Sequence, residues 1–249
     1  MNVTGERVST STGGFNPTWQ RHVAAYAAAA RILPPGRVLD LGCGVGHSFE
    51  LLAPRETVGV DIAEDALAGQ DRPTIVADMR ALPLESASFD SVLSVQSIEH
   101  VPDPERIVAE ARRVLAPGGT AVFVTPNRLT FGRPDEIIDP YHHVELDEDE
   151  LRALCRSGFD EVDVQGLFGS DRYQAIVTRE RGRLDSVLRR DPLRLRRLVP
   201  RRLRQAAYDR MLRRARAEAR PDEAAIEVSD FELRGPPLAE ALDLVAICR

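Results

Sequence analysis

Short apolar runs alternate with segments of helical periodicity along most of the chain. Each run is only a few residues long and is bounded by glycine, proline or acidic residues, which is typical of buried strands. Amphipathic segments, in which apolar residues recur at every third or fourth position, lie between them. The pattern predicts seven strands, at 37–41, 57–61, 74–78, 89–95, 120–125, 161–168 and 241–248.

The clearest predicted helix covers 103–116, with Asp103 as its expected N-cap and a Pro-Gly-Gly turn to end it. A second begins at Asp147, where Glu150 completes the pattern of a capping box. An alanine-rich helix is expected at 16–33. Strands that alternate with helices predict an α/β fold, a mostly parallel sheet covered by helices on both faces. Ligands of such sheets bind beyond the carboxyl ends of the strands.

A glycine-rich loop follows the first predicted strand, with glycine at positions 42, 44 and 46. Glycines allow the backbone to approach a ligand closely, although a tight turn between strand and helix is the simpler alternative. A dinucleotide-binding fingerprint requires its third glycine one residue later, where this chain has His47. The spacing therefore favours a ligand without a pyrophosphate group.

Acidic residues close the first three predicted strands, at Asp40, Asp61 and Asp78. A carboxylate at Asp61 can accept hydrogen bonds from ribose hydroxyls, and Asp78 can accept one from an adenine amino group. Met79 can pack on the adenine ring. Each acid alone also fits a turn or a helix cap, but three beside one glycine loop indicate a nucleoside site.

All 33 basic residues are arginine, so the chain contains no lysine. This excludes enzymes that need a phosphate-loop lysine, a pyridoxal phosphate lysine, or a lysine that activates a tyrosine. The three cysteines, at 43, 155 and 248, match no zinc or disulfide spacing. No apolar run approaches the ~20 residues of a membrane span, and the N-terminus lacks a signal-like apolar region. We therefore expect a cytoplasmic protein.

Residues 38–46, Val-Leu-Asp-Leu-Gly-Cys-Gly-Val-Gly, resemble motif I of the class I S-adenosylmethionine-dependent methyltransferases. Segments 82–84, 89–92, 97–101 and 115–119 are similar to the ubiquinone/menaquinone-type (type 11) subfamily, in the right order and spacing. The resemblance covers roughly 20–165. It implies a Rossmann-like fold with seven strands and S-adenosylmethionine as cofactor.

By this resemblance, Asp40 and the backbone of the glycine loop would hold the methionine part of the cofactor. Asp61 would hold the ribose, Asp78 and Met79 the adenine, and Gln96 would cover the methionine amino end. The full set of expected cofactor-binding residues is Asp40, Gly42, Cys43, Gly44, Gly46, Asp61, Ile62, Asp78, Met79 and Gln96.

A narrower resemblance concerns the methyl acceptor. Segments 4–7, 125–128, 139–146, 166–168 and 242–245 look like the sugar O-methyltransferases of methylmannose polysaccharide assembly. The chain also lacks the Asn/Asp-Pro-Pro-aromatic motif, used by many nitrogen methyltransferases, after its fourth strand. We expect O-methylation of a sugar, lipid-linked or natural-product hydroxyl. The alternatives are a quinone-type C-methyltransferase, an RNA methyltransferase and a non-catalytic cofactor-binding protein.

Histidines are the candidate general bases, because imidazole titrates near neutral pH. His142 and His143 follow the fifth strand in a loop expected to overhang the acceptor, and His100 follows the fourth strand. Each could instead be structural. A carboxylate and two histidines near Glu145 could hold a divalent ion, but we predict no metal.

An arginine-rich segment, 179–220, carries 16 arginines and five acidic residues. It is expected to be a helical insertion before the last strand, with a solvated basic face as the simplest interpretation. It could instead bind an acidic or carrier-linked acceptor, a membrane surface or nucleic acid. Few aromatic residues accompany the arginines, which makes nucleic acid a weak candidate. The oligomeric state cannot be predicted.

We expect a single methyltransferase domain. Its parts are an N-terminal arm and helix (1–33), a cofactor-binding core (34–170), a helical cap (171–228) and the last strand (229–249).

Overall fold

The computed structural model describes residues 16–131, 136–189, 191, 194–217 and 220–249. The predicted arm at 1–15, including the resemblance at 4–7, lies outside these residues.

A twisted sheet of eight strands forms the centre of the molecule, in the order β3-β2-β1-β4-β5-β8-β6-β7. The strands β1 to β5 pair in parallel, whereas β8 pairs antiparallel with both β5 and β6, and β6 pairs antiparallel with β7. β1, β4 and β8 are buried on both faces, as expected for a sheet covered by helices. The strands are β1 Arg37–Leu41, β2 Glu56–Asp61, β3 Thr74–Val76, β4 Phe89–Val95, β5 Leu115–Pro126, β6 Val162–Gly169, β7 Phe231–Arg234 and β8 Asp243–Cys248.

The predicted number of seven strands was one too few. The additional strand, β7, reads Phe-Glu-Leu-Arg and pairs with residues 166–169 of β6 at the sheet edge. Its Glu232 and Arg234 are exposed, as is usual for an edge strand. Four residues with two charged side chains are too short to produce a clear alternating pattern.

Helices cover both faces of the sheet, as predicted. Small and aromatic residues of α1 and α6 pack on one face, and apolar residues of α3 and α5 pack on the other. The helices are α1 Asn16–Ile32, α2 Glu64–Leu67, α3 Pro104–Val114, α4 Arg128–Phe131, α5 Glu148–Arg156, α6 Asp171–Leu188, α7 Arg201–Ala217 and α8 Pro221–Ala224.

The predicted start of α3 is confirmed, with Asp103 at the N-cap position, but its predicted end is wrong. Asp103 precedes α3, but its side chain makes no capping hydrogen bond and accepts from Arg80 and Arg106 instead. The Pro-Gly-Gly turn does not end the helix, because β5 already begins at Leu115 and includes it. The capping box of Asp147 and Glu150 is present as predicted.

Most of the described residues of the arginine-rich segment are helical, and many of its charges are paired within the protein. Arg179 bridges to Asp222 and Glu223, and Arg196 bridges to Glu136. Such pairing reduces the positive charge available to an outside partner. Among the described residues, no helix combines the length and apolarity needed to cross a membrane.

Candidate functional site

A cavity of about 400 Å³ opens at the carboxyl ends of β1 to β4, within the usual size range of small-molecule sites. It brings together residues from separate strands, as the fold predicts. Of the residues expected to bind the cofactor, eight line it: Gly42, Cys43, Gly44, Asp61, Ile62, Asp78, Met79 and Gln96. His100 and His143 line the same cavity. Asp40, Gly46 and His142 do not belong to its lining.

The glycine loop holds its shape through its own hydrogen bonds. The amides of Gly42 and Cys43 both donate to the Val60 carbonyl, at 2.8 and 3.0 Å. The Gly44 amide donates to Asp61 Oδ2 at 2.9 Å, and the Gly46 amide to the Cys43 carbonyl at 3.0 Å. These amides were expected to hold the methionine moiety, but each already has a partner. The loop therefore contributes a preformed, open wall.

Gly42 shows why this loop needs glycine. Its φ is +68°, and an added Cβ would lie 2.5 Å from the Cβ of Ser97. A side chain here would combine backbone strain with a clash against the turn after β4. The loop and that turn are thereby packed against each other at the bottom of the cavity.

Asp40 braces the glycine loop from behind. It is fully buried, accepts from the Tyr26 hydroxyl at 3.0 Å, and forms an ion pair of 2.9 Å with Arg72. Burial raises the pKa of the Asp40 carboxyl, although Arg72 and Tyr26 act in the opposite direction. Its expected contact with the methionine part of the cofactor is not supported, because both neighbours hold it outside the cavity lining.

Asp61 ends β2 and faces the cavity. Its two carboxylate oxygens accept from the amides of Gly44 and Ala63, both at 2.9 Å. Each oxygen keeps a further lone pair, so the carboxylate can still accept from a ligand hydroxyl. These two bonds fix its orientation before any ligand binds.

Asp78 lies in a chain of charges at the other end of the cavity. Arg80 bridges Asp78 and Asp103, at 2.7 Å to each. The hydrogen bonds from Arg80 are the largest influence on Asp78 and lower the pKa of its carboxyl. Asp78 therefore stays ionised and remains an acceptor at the cavity edge, next to Met79.

Helix α1 closes one side of the cavity, where His22 and Tyr26 contribute to the lining. Arg21 ties this helix to the sheet: its Nε donates to the buried Asp243 at 2.7 Å. Gln96, whose φ is +52°, also donates to Asp243. Burial acts to lower the pKa of Arg21, but the adjacent carboxylate of Asp243 raises it overall. The Asp243 carboxylate of β8 thus joins α1 to the turn after β4.

A second cluster of polar side chains adjoins the cavity at the turn after β4 and the loop after β5. One ligating atom from each of Glu99, His100 and His142 lies within 4.8 Å of the others. His142 is buried, stacks on Phe131 with 4.9 Å between ring centroids, and has its Nδ1 3.1 Å from Glu145 Oε1. These residues form what we call the imidazole cluster: Glu99, His100, His142 and Glu145.

The electrostatics of the cluster are set by burial and by its two acids. Burial acts to lower the pKa of His142, but the hydrogen bond that its ring donates to Glu145 and the charge of Glu99 raise it overall. Burial also raises the pKa of the Glu99 carboxyl, opposed by His100 and His142. Glu99 and His142 therefore each favour the charged form of the other, and both side chains are buried.

Backbone and arginine contacts bring the two parts of this cluster together. The His143 amide donates to the Glu99 carbonyl at 2.7 Å, which joins the loop after β5 to the turn after β4. Arg201 of α7 donates to the carbonyls of Pro140 and Tyr141 at 2.7 and 3.0 Å. It also donates to Nε2 of His143 at 2.6 Å. Helix α7 of the arginine-rich segment therefore holds the loop that carries His142 and His143 in place.

His143 differs from its neighbour His142, since it is exposed and faces the cavity mouth. Desolvation and the charge of Arg201 both lower the pKa of its imidazole. His143 is therefore neutral at pH 7, with Nε2 already used as an acceptor.

Several residues of the site were not predicted from the sequence. The link between Arg21 and Asp243 spans 222 positions, and although Asp243 lies in the segment 242–245, nothing in the sequence pairs it with Arg21. Glu99 could have been found, because it precedes His100 directly after a strand end. Arg201 could not have been distinguished among 16 arginines of its segment.

The fold is Rossmann-like, and its cavity opens at the carboxyl ends of the parallel strands. Residues 39–123 match the methyltransferase domain family. The chain is 34% identical over 267 residues to a probable S-adenosylmethionine-dependent methyltransferase of Mycobacterium tuberculosis, covering 99% of this chain and 89% of that protein. The chain belongs to the S-adenosylmethionine-dependent methyltransferases, and S-adenosylmethionine is its cofactor.

Two further similarities extend this result. The chain is 38% identical over 104 residues to a ubiquinone biosynthesis O-methyltransferase of Idiomarina loihiensis, covering 37% of this chain and 43% of that protein. A solved S-adenosylmethionine-dependent methyltransferase of Thermotoga maritima has a TM-score of 0.60 and 21% identity, covering 92% of this chain and 89% of that one. The structural similarity shows the fold.

Proposed function

We propose that this enzyme transfers the methyl group of S-adenosylmethionine to a hydroxyl of a small acceptor: a sugar, a lipid-linked compound or a natural product. The observation that carries this proposal is the imidazole cluster beside the cofactor cavity. Methyl transfer from a sulfonium to a hydroxyl needs alignment of the two groups and removal of one proton. A cluster of histidines and carboxylates provides groups for both.

The two histidines of the cluster are held in the orientation that this chemistry requires. Nδ1 of His142 lies next to the Glu145 carboxylate, and Nδ1 of His100 lies 3.3 Å from the Tyr141 carbonyl. Both neighbours are acceptors, which assigns the ring proton of each neutral imidazole to Nδ1. The lone pair of each ring is then on Nε2, where it can receive a hydroxyl proton or a metal ion.

We assign the cofactor to the opposite part of the cavity. Asp61 would accept from the ribose hydroxyls, while Asp78 and Met79 would contact the adenine. Gln96 would lie near the methionine end, and Gly42 to Gly44 would form the wall behind it. His100 lines the same cavity, so an acceptor beside it would be within reach of the donor. We propose one methyltransferase domain for the whole chain.

Two further observations support an oxygen acceptor. The turn after β4 reads Gln-Ser-Ile-Glu-His, without the Asn/Asp-Pro-Pro-aromatic motif of many nitrogen methyltransferases. The relative from Idiomarina loihiensis is named an O-methyltransferase.

An amphipathic or carrier-linked acceptor also fits the surface formed around α7. Leu198 is 81% exposed and Leu203 is 62% exposed, beside the exposed Arg202. Apolar and cationic side chains side by side suit a molecule with an apolar tail and an anionic group. Such an acceptor would place its hydroxyl at the cavity and its carrier on this surface.

The test is to identify the atom that receives the methyl group. The full chain is incubated with S-adenosylmethionine bearing a trideuterated methyl group and with parallel sets of methylated mannosides, phenols and quinols. Mass spectrometry and NMR then locate the label. We expect a trideuteromethyl ether. Label on carbon or nitrogen, with no ether from any set, would refute O-methylation.

A further inference from the structure

We propose that the imidazole cluster is a divalent metal site, in which Glu99, His100 and His142 bind the ion and leave a position open for the acceptor hydroxyl. The role of the ion in this inference rests on the proposed O-methyltransferase function, whereas the binding of the ion does not. It replaces our sequence-based expectation of an enzyme without a metal.

The composition and spacing of the ligands fit one ion. Two imidazole nitrogens and one carboxylate oxygen are a common ligand set for zinc, iron and manganese, and three protein ligands leave room for a substrate. Ligand atoms about 2.1 Å from a tetrahedral ion lie ~3.4 Å apart. The three atoms here lie within 4.8 Å of one another, so small side-chain movements bring them to that distance.

The outer contacts of the two histidines are those of metal ligands. A histidine that binds a metal usually donates its other ring N–H to a carboxylate or a backbone carbonyl, which fixes its orientation. His142 has Glu145 as this partner, and His100 has the Tyr141 carbonyl. In both rings this contact is made by Nδ1, so Nε2 is the nitrogen that would bind an ion.

Buried carboxylate oxygens supply independent support. Glu99 is 1% exposed; its Oε2 accepts from Thr125 at 3.0 Å, while its Oε1 has no hydrogen-bond partner among the described residues. Oε2 of Glu145 likewise has no hydrogen-bond partner among the described residues. An unsatisfied buried polar atom destabilises the fold, and more so when it is charged. A cation in the cluster would remove that destabilisation at Glu99.

The chemistry of an ion at this place is consistent with the proposed reaction. A divalent ion lowers the pKa of a bound hydroxyl, so the acceptor loses its proton to solvent. The freed lone pair on oxygen forms the bond to the methyl carbon, the carbon–sulfur bond breaks, and its electron pair stays on sulfur. The products are the methyl ether, S-adenosylhomocysteine and one proton.

Cobalt(II) binding tests the site without reference to turnover. The full chain is purified, treated with a chelator, dialysed and titrated with Co²⁺ alone, with visible absorption as the spectroscopic signature. We expect one equivalent to bind with bands of a histidine-ligated ion. Glu99→Gln should weaken binding at least tenfold, and the double variant His100→Ala, His142→Ala should abolish the bands.

His143→Ala is the matched control, because His143 lies next to His142 in the same loop but its Nε2 is occupied by Arg201. We expect its Co²⁺ titration to equal that of the unchanged protein. Circular dichroism and thermal melts of every variant distinguish loss of the metal site from loss of folding. If the double variant unfolds, Glu99→Gln still tests the site, because it preserves the shape of the side chain.

Activity measurements then separate this inference from the proposed function. Absence of stoichiometric Co²⁺ binding, or equal loss in His143→Ala, would overturn the metal site. Unchanged ether formation by the chelated protein would also overturn it, but would leave O-methylation intact with an imidazole as base. Stoichiometric Co²⁺ binding without an ether product would support the site and refute the proposed function.

Discussion

The two walls of the cavity are built in different ways. The donor wall, where we propose that S-adenosylmethionine binds, consists of residues at or just after strand ends: the glycine loop after β1, Asp61 at the end of β2 and Asp78 just after β3. The acceptor wall joins the turn after β4, the loop after β5 and Arg201 of α7. The first wall is built from residues close to the ends of neighbouring strands, whereas the second depends on hydrogen bonds between segments that are distant in the sequence. Such a difference suits an enzyme whose cofactor is constant and whose acceptor can vary.

The largest expected effect comes from the acceptor wall. His142→Ala removes an Nε2 lone pair of the imidazole cluster, whether it binds an ion or takes the proton itself. A group of this kind contributes about 10²–10⁴-fold to rate. We expect kcat to fall by that amount, measured with an acceptor that the labelling experiment shows to be methylated.

The cofactor Kd of the same variant distinguishes the two walls. It should stay within about twofold of the original by calorimetry, because His142 does not line the cavity. Glu145→Gln keeps the ring in place with a weaker partner, so its kcat should fall less. If His142→Ala keeps full turnover, the cluster has no part in the chemistry.

The next largest effect is expected at the donor wall. Asp61→Ala removes a carboxylate positioned to accept two ribose hydroxyls, and hydrogen bonds to charged groups contribute about 1.5–3 kcal/mol each. The Kd for S-adenosylmethionine should therefore rise about 100-fold or more. Calorimetry measures this Kd, and the Kd of Asp61→Asn should lie between those of the unchanged protein and of Asp61→Ala.

Asp61 also holds the Gly44 amide, so some of this loss will come from a less ordered glycine loop. Thermal melts of the ligand-free variants measure that part. An unchanged Kd in Asp61→Ala would show that Asp61 does not contribute to cofactor binding.

The smallest of these effects concerns the brace between α7 and the histidine loop. Arg201→Ala removes donors to Pro140, Tyr141 and His143. The loop should then be less well positioned, and we expect the acceptor KM to rise about tenfold with little change in cofactor Kd. Steady-state kinetics with each substrate varied in turn measure both.

Arg31→Ala is the control for this variant. Arg31 is an exposed arginine of α1 whose Nε donates only within its own helix, to the Ala27 carbonyl. It should leave both KM values unchanged. A rise in cofactor Kd in Arg201→Ala would mean that the two walls are not independent.

The donor wall could be predicted from the sequence because its residues are local to their strands. β1 and β4 have the predicted bounds, and Asp61 ends β2 as expected. Asp40 belonged to the same motif, but burial against Tyr26 and Arg72 takes it out of the cavity lining. A sequence pattern places a residue on a strand end; it does not say which neighbour will satisfy its charge.

The acceptor wall could be predicted only in part. His100, His142 and His143 were recognised as chemically suitable, yet their separate roles depend on Glu99, Glu145 and Arg201. These contacts bring together residues up to 102 positions apart, and no periodic pattern encodes them. The edge strand β7 was missed for a related reason, since its pairing with β6 defines it more than its composition does.

The internally bonded glycine loop has a consequence for cofactor exchange. A segment ordered during folding loses little further conformational entropy when a ligand arrives, so less of the interaction energy is spent on ordering it. Entry and departure of S-adenosylmethionine and its product then need little rearrangement of this wall. The residence time of the cofactor would then be set by a few side chains and by α1, which Arg21 tethers to the sheet. Substitutions in this helix are therefore expected to change the rate of turnover without altering recognition of the donor.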